Sequence, residues 1–190
     1  LMATKNGVVK KTSFSNFANI RTNGIISIKL DQKDELLWVK MTDNNKFTIL
    51  VTKNGKAIIF NEKEIRPTGR SSRGVKGINL DKEDSIVSAG AFSQKEFSKD
   101  VFVISDKGIG KKTKLSMFKG QHRGGKGVKV ASLDEKFGNV AFSQIIDTQQ
   151  KVTKYLKVHQ RPMHLLYAVF IFFVLGNISL RNIYQAKQKV

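Results

Sequence analysis

Cysteine is absent from this 190-residue chain, and acidic residues are few. The lack of thiols excludes a disulfide framework, a cysteine-based zinc site and a thiol nucleophile. Only 15 Asp and Glu stand against 34 Lys and Arg, which gives a net charge of +19. This imbalance predicts attraction to a polyanion over a wide surface, although a basic ribosomal-type protein would show it too.

Signals for catalysis and for secretion are also missing. The three histidines, His122, His159 and His164, form no metal-ligand spacing with carboxylates. Gly120 to Lys126 has the spacing of a phosphate-binding loop, but Gly127 stands where that motif needs Ser or Thr. The first seven residues contain no apolar stretch of the kind found in signal peptides. We therefore expect no enzyme activity from these residues and no cofactor, and the initial Leu suggests a start inside a longer protein.

A short apolar strand, a Gly turn and a second strand recur three times along the chain. The copies run over 3–11, 51–59 and 104–112, and their turn glycines Gly7, Gly55 and Gly108 lie 48 and 53 residues apart. In the first two copies Asn precedes the glycine, a strong hairpin signal because type I′ turns need residues that tolerate positive φ.

A second signature, a basic glycine-containing loop that leads into a β-like segment, recurs in phase with the first. Its copies run over 21–28, 72–78 and 125–130, and Gly24, Gly74 and Gly127 lie 50 and 53 residues apart. An acidic turn follows each copy. A period of this size favours propeller-like blades over helical repeats. We therefore predict an all-β fold with about three four-stranded blades over residues 1–150.

Positive charge concentrates in the loops of the second signature. Glycine allows backbone N–H groups to approach a phosphate, and Arg and Lys supply the charge. Because the loops recur in phase with the blades, they are expected to line one edge and form a basic track. The acidic turns are expected at the other edge. The candidate contacts outside the third loop are Arg21, Arg66, Arg70, Arg73, Lys76, and the lysine pairs Lys10-Lys11 and Lys111-Lys112. Those lysine pairs fit an exposed, aggregation-resistant strand edge equally well.

The third loop carries the most specific motif. Its seven residues, Gln121, His122, Arg123, Gly124, Gly125, Lys126 and Gly127, resemble the signature box of the DNA gyrase A C-terminal domain family, which typically reads Q-R-R-G-G-K-G. Six of the seven positions match, and His122 replaces the usual first Arg. The segments around 110–113 and 66–77 are similar to the family as well, so that the resemblance covers about residues 1–150.

The resemblance implies a β-pinwheel, a propeller-like ring of blades, with duplex DNA wrapped around its basic outer edge. It implies that the box, with Arg123 and Lys126 as phosphate partners, supports DNA wrapping and ATP-dependent negative supercoiling. The partners would be double-stranded DNA, the gyrase A N-terminal cleavage domain and the gyrase B protein, in the bacterial cytoplasm at the nucleoid. ATP and Mg²⁺ would be used elsewhere in the holoenzyme, as would the cleavage tyrosine.

After about residue 150 the repeat pattern ends. Residues 151–190 contain seven Lys and Arg and no Asp or Glu, and an apolar run spans 165–175. Three interpretations remain open for this tail: a frameshifted or truncated reading frame, a helix that caps the blade array, and a membrane anchor.

Alternatives to the gyrase assignment also remain open. The C-terminal domain of the topoisomerase IV A protein is the related candidate, although its box is usually degraded. A membrane-tethered basic β-propeller interaction protein and a stand-alone nucleoid-binding protein belong to other classes.

Overall fold

A computed structural model of the chain describes residues 1–20 and 22–148. Arg21 and the tail 151–190 therefore lie outside the described residues. The described strands are β1 Met2–Thr4, β2 Val8–Lys10, β3 Leu36–Val39, β4 Phe47–Thr52, β5 Lys56–Asn61, β6 Val75–Lys76, β7 Ile86–Phe92, β8 Asp100–Ser105, β9 Gly110–Lys114, β10 Val128–Lys129 and β11 Val140–Ile146. The helical segments in the same range are 3₁₀ turns, Phe14–Phe17, Glu62–Glu64, Gln94–Ser98 and Leu115–Met117.

The strands form three antiparallel sheets, which we call blades. Blade 1 has the order β3-β1-β2-β6, blade 2 has the order β10-β5-β4-β7, and blade 3 comprises β11-β8-β9. The inner strands β3, β7 and β11 lie next to one another along the array. The predicted all-β, propeller-like repeat fold is confirmed, and the third blade has three strands among the described residues.

The hairpin turns follow from the residues that the sequence places there. Gly7, Gly55 and Gly108 have φ of +80°, +71° and +78°, a region that side chains with a Cβ avoid. Three residues earlier in each copy, a hydroxyl of Thr or Ser accepts a hydrogen bond from the N–H just after the glycine, at 3.1–3.2 Å. The predicted hairpins with a glycine at positive φ are therefore confirmed in all three repeats, but the type I′ turn is not: Asn6 and Asn54 do not have positive φ, and the N–H of the glycine itself closes the turn, with Gly7 N on Thr4 O and Gly55 N on Thr52 O, both at 3.1 Å.

The outermost strand of blades 1 and 2 comes from the following repeat. Strand β6 pairs with β2, with Val75 opposite Val9, and β10 pairs with β5, with Val128 opposite Ala57. Beyond each donated strand, two N–H groups converge on the carbonyl of the hairpin glycine. Gly77 and Ile78 donate to Gly7 O at 2.8 and 3.4 Å, and Val130 and Ala131 donate to Gly55 O at 2.9 and 3.3 Å. A repeat along the sequence is therefore not the same unit as a blade.

The hydrophobic core lies between blades. One cluster of buried side chains joins blade 1 to blade 2 and includes Ala3, Val9, Leu50, Ile58 and Ile78. The other joins blade 2 to blade 3 through side chains on the opposite face of β4 and β5. Alternation along a strand sends successive side chains to opposite faces, so that β4 and β5 each supply both clusters.

The first copy of the second signature does not form the predicted β segment. Residues 24–30 contain no strand, although the equivalent segments in repeats 2 and 3 are β6 and β10. A strand that completes the blade of the preceding repeat needs such a blade beside it, and the described residues provide none for repeat 1. The β propensity of Ile25 and Ile26 alone does not create a ladder.

Gly74→Ala tests the strand donation. A Cβ at Gly74 would overlap the carbonyl oxygen of Val9 on the accepting strand. Overpacking of this kind costs about 1–3 kcal/mol, so we expect a lower urea midpoint of unfolding. Gly69→Ala, in the same loop, meets nothing within 4 Å and is the matched control. Equal midpoints for the two variants would contradict the close approach at Gly74.

Glu96 gives the connection between blades 2 and 3 a pH dependence. Its carboxylate accepts from Ser93 N at 2.7 Å and from Lys99 Nζ at 2.9 Å, and these bonds lower its pKa from 4.5 to about 2. A lowered folded-state pKa means that the stabilisation is present above pH 4.5 and is lost as the pH falls through about 2. We expect Glu96→Gln to be less stable than the wild type at pH 7, with the difference shrinking on acidification, as measured by thermal unfolding across pH.

Candidate nucleic-acid interface

The loop 121–127 lies on the outer side of blade 2, where it leads into β10. Gln121 anchors its start, since its N–H donates to Ile59 O at 2.9 Å. The Gln121 side-chain oxygen accepts from Gly127 N at 3.2 Å and so ties the two ends of the loop together. Gly127 has φ +72°, and a Cβ there would lie 2.7 Å from Ala57 O. Glutamine and glycine at the ends of the motif therefore set its shape and its close approach to β5.

Arg123 braces the loop from within. Its Nε donates to Glu64 O at 3.0 Å and its Nη1 donates to Lys76 O at 3.3 Å, while its backbone N–H donates to the Glu64 carboxylate at 3.0 Å. The guanidinium thus spans the Glu62–Glu64 turn of blade 2 and the donated strand β6. Two of its five N–H groups donate to other residues that the structure describes. The family resemblance implies that Arg123 is a phosphate partner, and the structure gives it a positioning role as well.

The backbone of the same loop meets the second signature of repeat 2. Gly124 N donates to Gly77 O at 2.7 Å, and Asn79 N donates to Gly125 O at 2.8 Å. Loop 121–127 therefore lies across two repeats, and its conformation depends on both.

Loop 66–73 repeats this arrangement one blade earlier. Thr68 N donates to Lys11 O at 2.9 Å, as Gln121 N donates to Ile59 O in the later copy. Lys29 N donates to Ser72 O at 3.1 Å, as Asn79 N donates to Gly125 O. Both loops also contain the same internal turn. Ser72 N donates a hydrogen bond to Gly69 O in one loop, and Gly125 N donates to His122 O in the other. The two basic loops are thus equivalent in position, as their phase in the sequence predicts.

Exposed positive charge follows these loops along the outer edge. Lys126 and Lys129 are exposed in and after the loop 121–127, and Arg73 and Lys76 are exposed at the equivalent places one repeat earlier. Arg66 is exposed at the start of its loop and Arg70 is half-buried, while His122 is exposed beside Glu64, with Nδ1 3.3 Å from the carboxylate. The side chains predicted from the loop sequences therefore lie at one edge of the array.

Lys10 and Lys11 depart from the prediction. Neither forms an exposed strand edge: both side chains are buried, at 1% and 8% exposure. The Lys10 ammonium donates to Ser27 O at 2.7 Å and to Arg70 O, and the second bond holds loop 66–73 against β2. The Lys11 ammonium donates to Glu62 O at 2.9 Å. Burial lowers the pKa of both amines. Their sequence equivalents Lys111 and Lys112 are exposed on β9, where Lys112 pairs with Asp100 at 3.1 Å.

The acidic turns are predicted at the opposite edge, and this prediction is wrong for two of them. Asp31 lies 2.9 Å from the Arg73 guanidinium, and Asp81 lies 2.5 Å from the Lys56 ammonium. The hydrogen bond from Lys56 lowers the pKa of Asp81, and the nearby charge of Lys126 acts in the same direction. The turns reach the basic loops because each loop lies across the repeat before it.

Glu64 is a residue of the site that the sequence does not single out. Its carboxylate and its carbonyl receive the backbone and the side chain of Arg123. This role arises only because the next repeat lies over the turn that contains Glu64. The local pattern Glu62-Lys63-Glu64 gives no sign of that, since it resembles any charged turn.

The described residues show no other chemistry at this edge. Within 1–20 and 22–148 no group of three His, Asp or Glu side chains could hold a metal ion. In that part of the chain no helix is long and apolar enough to cross a membrane. The apolar run 165–175 lies outside it.

The match to a known protein family falls into three segments, one for each repeat. The family model described as "DNA gyrase C-terminal domain, beta-propeller" matches residues 1–43, 47–93 and 99–147. The DNA gyrase A protein of Staphylococcus epidermidis is 39% identical over 140 residues, and that of Haloquadratum walsbyi is 40% identical over 139. These matches cover 74% and 73% of this chain, but the chain spans only 16% of the length of either relative.

Solved structures show the same likeness. The C-terminal domain of DNA topoisomerase IV aligns with a TM-score of 0.73 at 31% identity, and the DNA gyrase A C-terminal domain aligns with 0.66 at 28%. Each alignment covers 77% of this chain and 46% or 48% of the solved chain. Since the family model alone matches well over half of the residues, the chain belongs to the DNA gyrase C-terminal domain, β-propeller family.

Proposed function

We propose that this chain binds duplex DNA along the outer edge of its blades, as part of the DNA-wrapping module of a gyrase A protein. The observation that carries the proposal is the pair of equivalent loops, 66–73 and 121–127, each held on an outer strand by the same backbone hydrogen bonds. Each loop presents exposed basic side chains at the same edge, Arg73 and Lys76 in one and Lys126 and Lys129 in the other.

The chemistry of these loops suits phosphate contacts. Lysine and arginine at loop tips neutralise phosphates without reading base edges, so that the binding is expected to be salt-sensitive and tolerant of sequence. Successive blades repeat the contact at their outer edge, so that DNA bound by several blades would follow the array. Bent DNA is the state in which contacts on several blades are made at once.

In the whole protein, this module would hold a DNA segment near the gyrase A N-terminal cleavage domain and, with the gyrase B protein, support ATP-dependent negative supercoiling. ATP and Mg²⁺ would act in those other parts of the holoenzyme. The place of action would be the nucleoid in the bacterial cytoplasm.

The C-terminal domain of the topoisomerase IV A protein is the second candidate, and the alignment with the solved domain of that enzyme favours it. The near-complete box at Gln121 to Gly127 favours gyrase. A topology assay separates the two. The full chain is bound to relaxed closed circular DNA, which is then relaxed with a type I topoisomerase and deproteinised.

A linking-number shift of one sign that grows with protein concentration would support wrapping. Binding with no shift would contradict wrapping and would favour the topoisomerase IV assignment. The absence of binding to linear duplex at low salt would overturn both candidates.

Lys126→Ala and Lys129→Ala test the basic edge directly. Each phosphate neutralised on duplex DNA contributes about −0.9 to the slope of log K against log salt. We expect either variant to reduce the slope by about that amount and to weaken binding uniformly across sequences. The measurement is a fluorescence-anisotropy salt series. Lys95→Ala, an exposed lysine on the connection between β7 and β8, is the charge-matched control. An equal change in the salt slope for Lys95→Ala would contradict the proposal that DNA binds at the outer edge.

Arg123→Lys separates positioning from charge. Lysine keeps the charge but cannot span Glu64 O and Lys76 O, at about 1 kcal/mol per hydrogen bond lost. We expect DNA affinity to fall between about fivefold and thirtyfold with an unchanged salt slope, and faster amide exchange at Gly124 and Asn79. If the variant bound DNA as tightly as the wild type, the contacts of Arg123 with Glu64 O and Lys76 O would not be needed to position the loop. Lys126→Arg is the control, since it changes an exposed side chain and keeps its charge.

A further inference from the structure

Two arginines occupy the same place in the two basic loops, which we call the earlier loop (66–73) and the later loop (121–127). Arg70 lies four residues before Gly74, as Arg123 lies four residues before Gly127, and both arginines are half-buried. The Arg123 guanidinium donates to two carbonyls of the protein. The Arg70 guanidinium makes no hydrogen bond or ion pair with any residue in 1–20 and 22–148. Equivalent positions in the two loops therefore differ in the contacts of their side chains.

A buried lysine fastens the earlier loop to the repeat beneath it. Lys10 on β2 is 1% exposed, and its ammonium donates to Ser27 O at 2.7 Å and to Arg70 O. In the later copy the residue equivalent to Ser27 is Gly77, and there Gly124 N donates directly to Gly77 O at 2.7 Å. The ammonium of Lys10 thus joins two backbone segments that a direct backbone hydrogen bond joins one repeat later.

The counterpart of Lys10 under the later loop is Ile58, which stands the same three residues after its hairpin glycine. Ile58 is also 1% exposed, and its Cδ1 would lie 3.4 Å from a Cβ on Gly125, so that it too lies beneath its loop. An isoleucine fills this space but offers no hydrogen-bond donor. The side-chain donor that fastens the later loop comes instead from the loop itself, from Arg123.

We propose that Lys10 is the positioning residue of the earlier loop and leaves the Arg70 guanidinium to bind a DNA phosphate, whereas Arg123 uses its guanidinium on the scaffold. This inference rests on the proposed function and deepens it, since it assigns different roles to two equivalent arginines. Loss of the Lys10 ammonium would leave the carbonyls of Ser27 and Arg70 without this donor and release the loop that carries Arg70. A guanidinium held in place can offer paired donors to phosphate oxygens.

Lys10→Met tests whether Lys10 positions Arg70, since methionine fills the space of the lysine but has no ammonium. Lys10 is too deeply buried to contact DNA, so that any change in the salt slope must act through another residue. We expect K10M and R70A each to reduce the slope of log K against log salt by about 0.9, the contribution of one phosphate. The double variant K10M/R70A is expected to show this reduction once, and K10M/K126A to show it twice. The measurement is a fluorescence-anisotropy salt series with the full chain on linear duplex DNA.

The neighbouring lysine provides the matched control. Lys11 is also buried, but its ammonium donates to Glu62 O and to Asn44, which lie outside the earlier loop. We expect Lys11→Met to leave the salt slope unchanged. An equal reduction of the slope in K11M would contradict the role of Lys10.

A second pair of variants compares the two arginines directly. A lysine can contact a phosphate, but it cannot span two carbonyls as the Arg123 guanidinium does. We therefore expect Arg70→Lys to lose less DNA affinity than Arg123→Lys in the same anisotropy assay. An equal loss in the two variants would contradict the exchange of roles.

Amide hydrogen exchange tests the positioning without DNA. In K10M we expect faster exchange at Thr68 and Lys29, whose N–H groups bond at the two ends of the earlier loop. Exchange is expected to be unchanged at Gln121 and Asn79, which make the equivalent bonds in the later loop. Equal acceleration at all four amides would indicate a loss of overall stability and would contradict a local role for Lys10.

The salt series also separates this inference from the proposed function. An unchanged slope in K10M, or reductions that add in K10M/R70A, would overturn the role of Lys10, while a reduced slope in K126A would leave DNA binding at the outer edge supported. An unchanged slope in K126A as well would contradict the proposed function and this inference with it.

Discussion

The structure depends on the pairing of blades 1 and 2 with a strand from the repeat that follows each of them. That pairing ends on the carbonyl of the hairpin glycine, where two N–H groups converge at Gly7 and again at Gly55. A blade of three strands would expose a row of unpaired backbone groups at its outer edge. Donation removes this edge and links consecutive blades through hydrogen bonds as well as through the two hydrophobic clusters. The repeats therefore stabilise one another in sequence, as in other arrays whose units contact only their neighbours.

The same pairing places the charge. Because each donated strand is preceded by a basic loop, the loops are carried to the outer edge and laid over the repeat before them. This brings Arg73 to Asp31 and Arg123 to Glu64, so that part of the positive charge is partnered within the protein. A net charge of +19 overstates what a polyanion would meet at this edge, since Lys10 and Lys11 are buried and several other cations are paired. Exposed lysines such as Lys126 and Lys129 therefore supply more of the positive charge at this edge than the total count of Lys and Arg suggests.

The regular part of the fold could be read from the sequence, because it depends on local chemistry. Gly7, Gly55 and Gly108 need positive φ in the native turn, and glycine is the residue that tolerates it. Strand donation could not be read, since Val75-Lys76 has the same local pattern whichever blade it joins. The lysine pairs show the limit most clearly. Lys10-Lys11 and Lys111-Lys112 have the same spacing from their glycines, yet the first pair is buried and the second is exposed. Among the described residues, the loop of the following repeat lies over Lys10 and none lies over Lys111 and Lys112, a difference that comes from tertiary packing.

Arg123 illustrates why a motif residue and a contact residue need not be the same. In an interface built on phosphate contacts, a flexible exposed lysine supplies charge at little structural cost, whereas the planar guanidinium supplies several directed donors. The loop 121–127 contains three glycines, which give it no rigidity of their own. Two carbonyls from different repeats, Glu64 O and Lys76 O, receive the Arg123 side chain and fix the loop relative to both. The neighbouring position has no such role, since His122 is exposed and only its ring faces Glu64. A substitution at the second place of the box therefore leaves the scaffold of the loop in place, while a substitution at Arg123 would remove it.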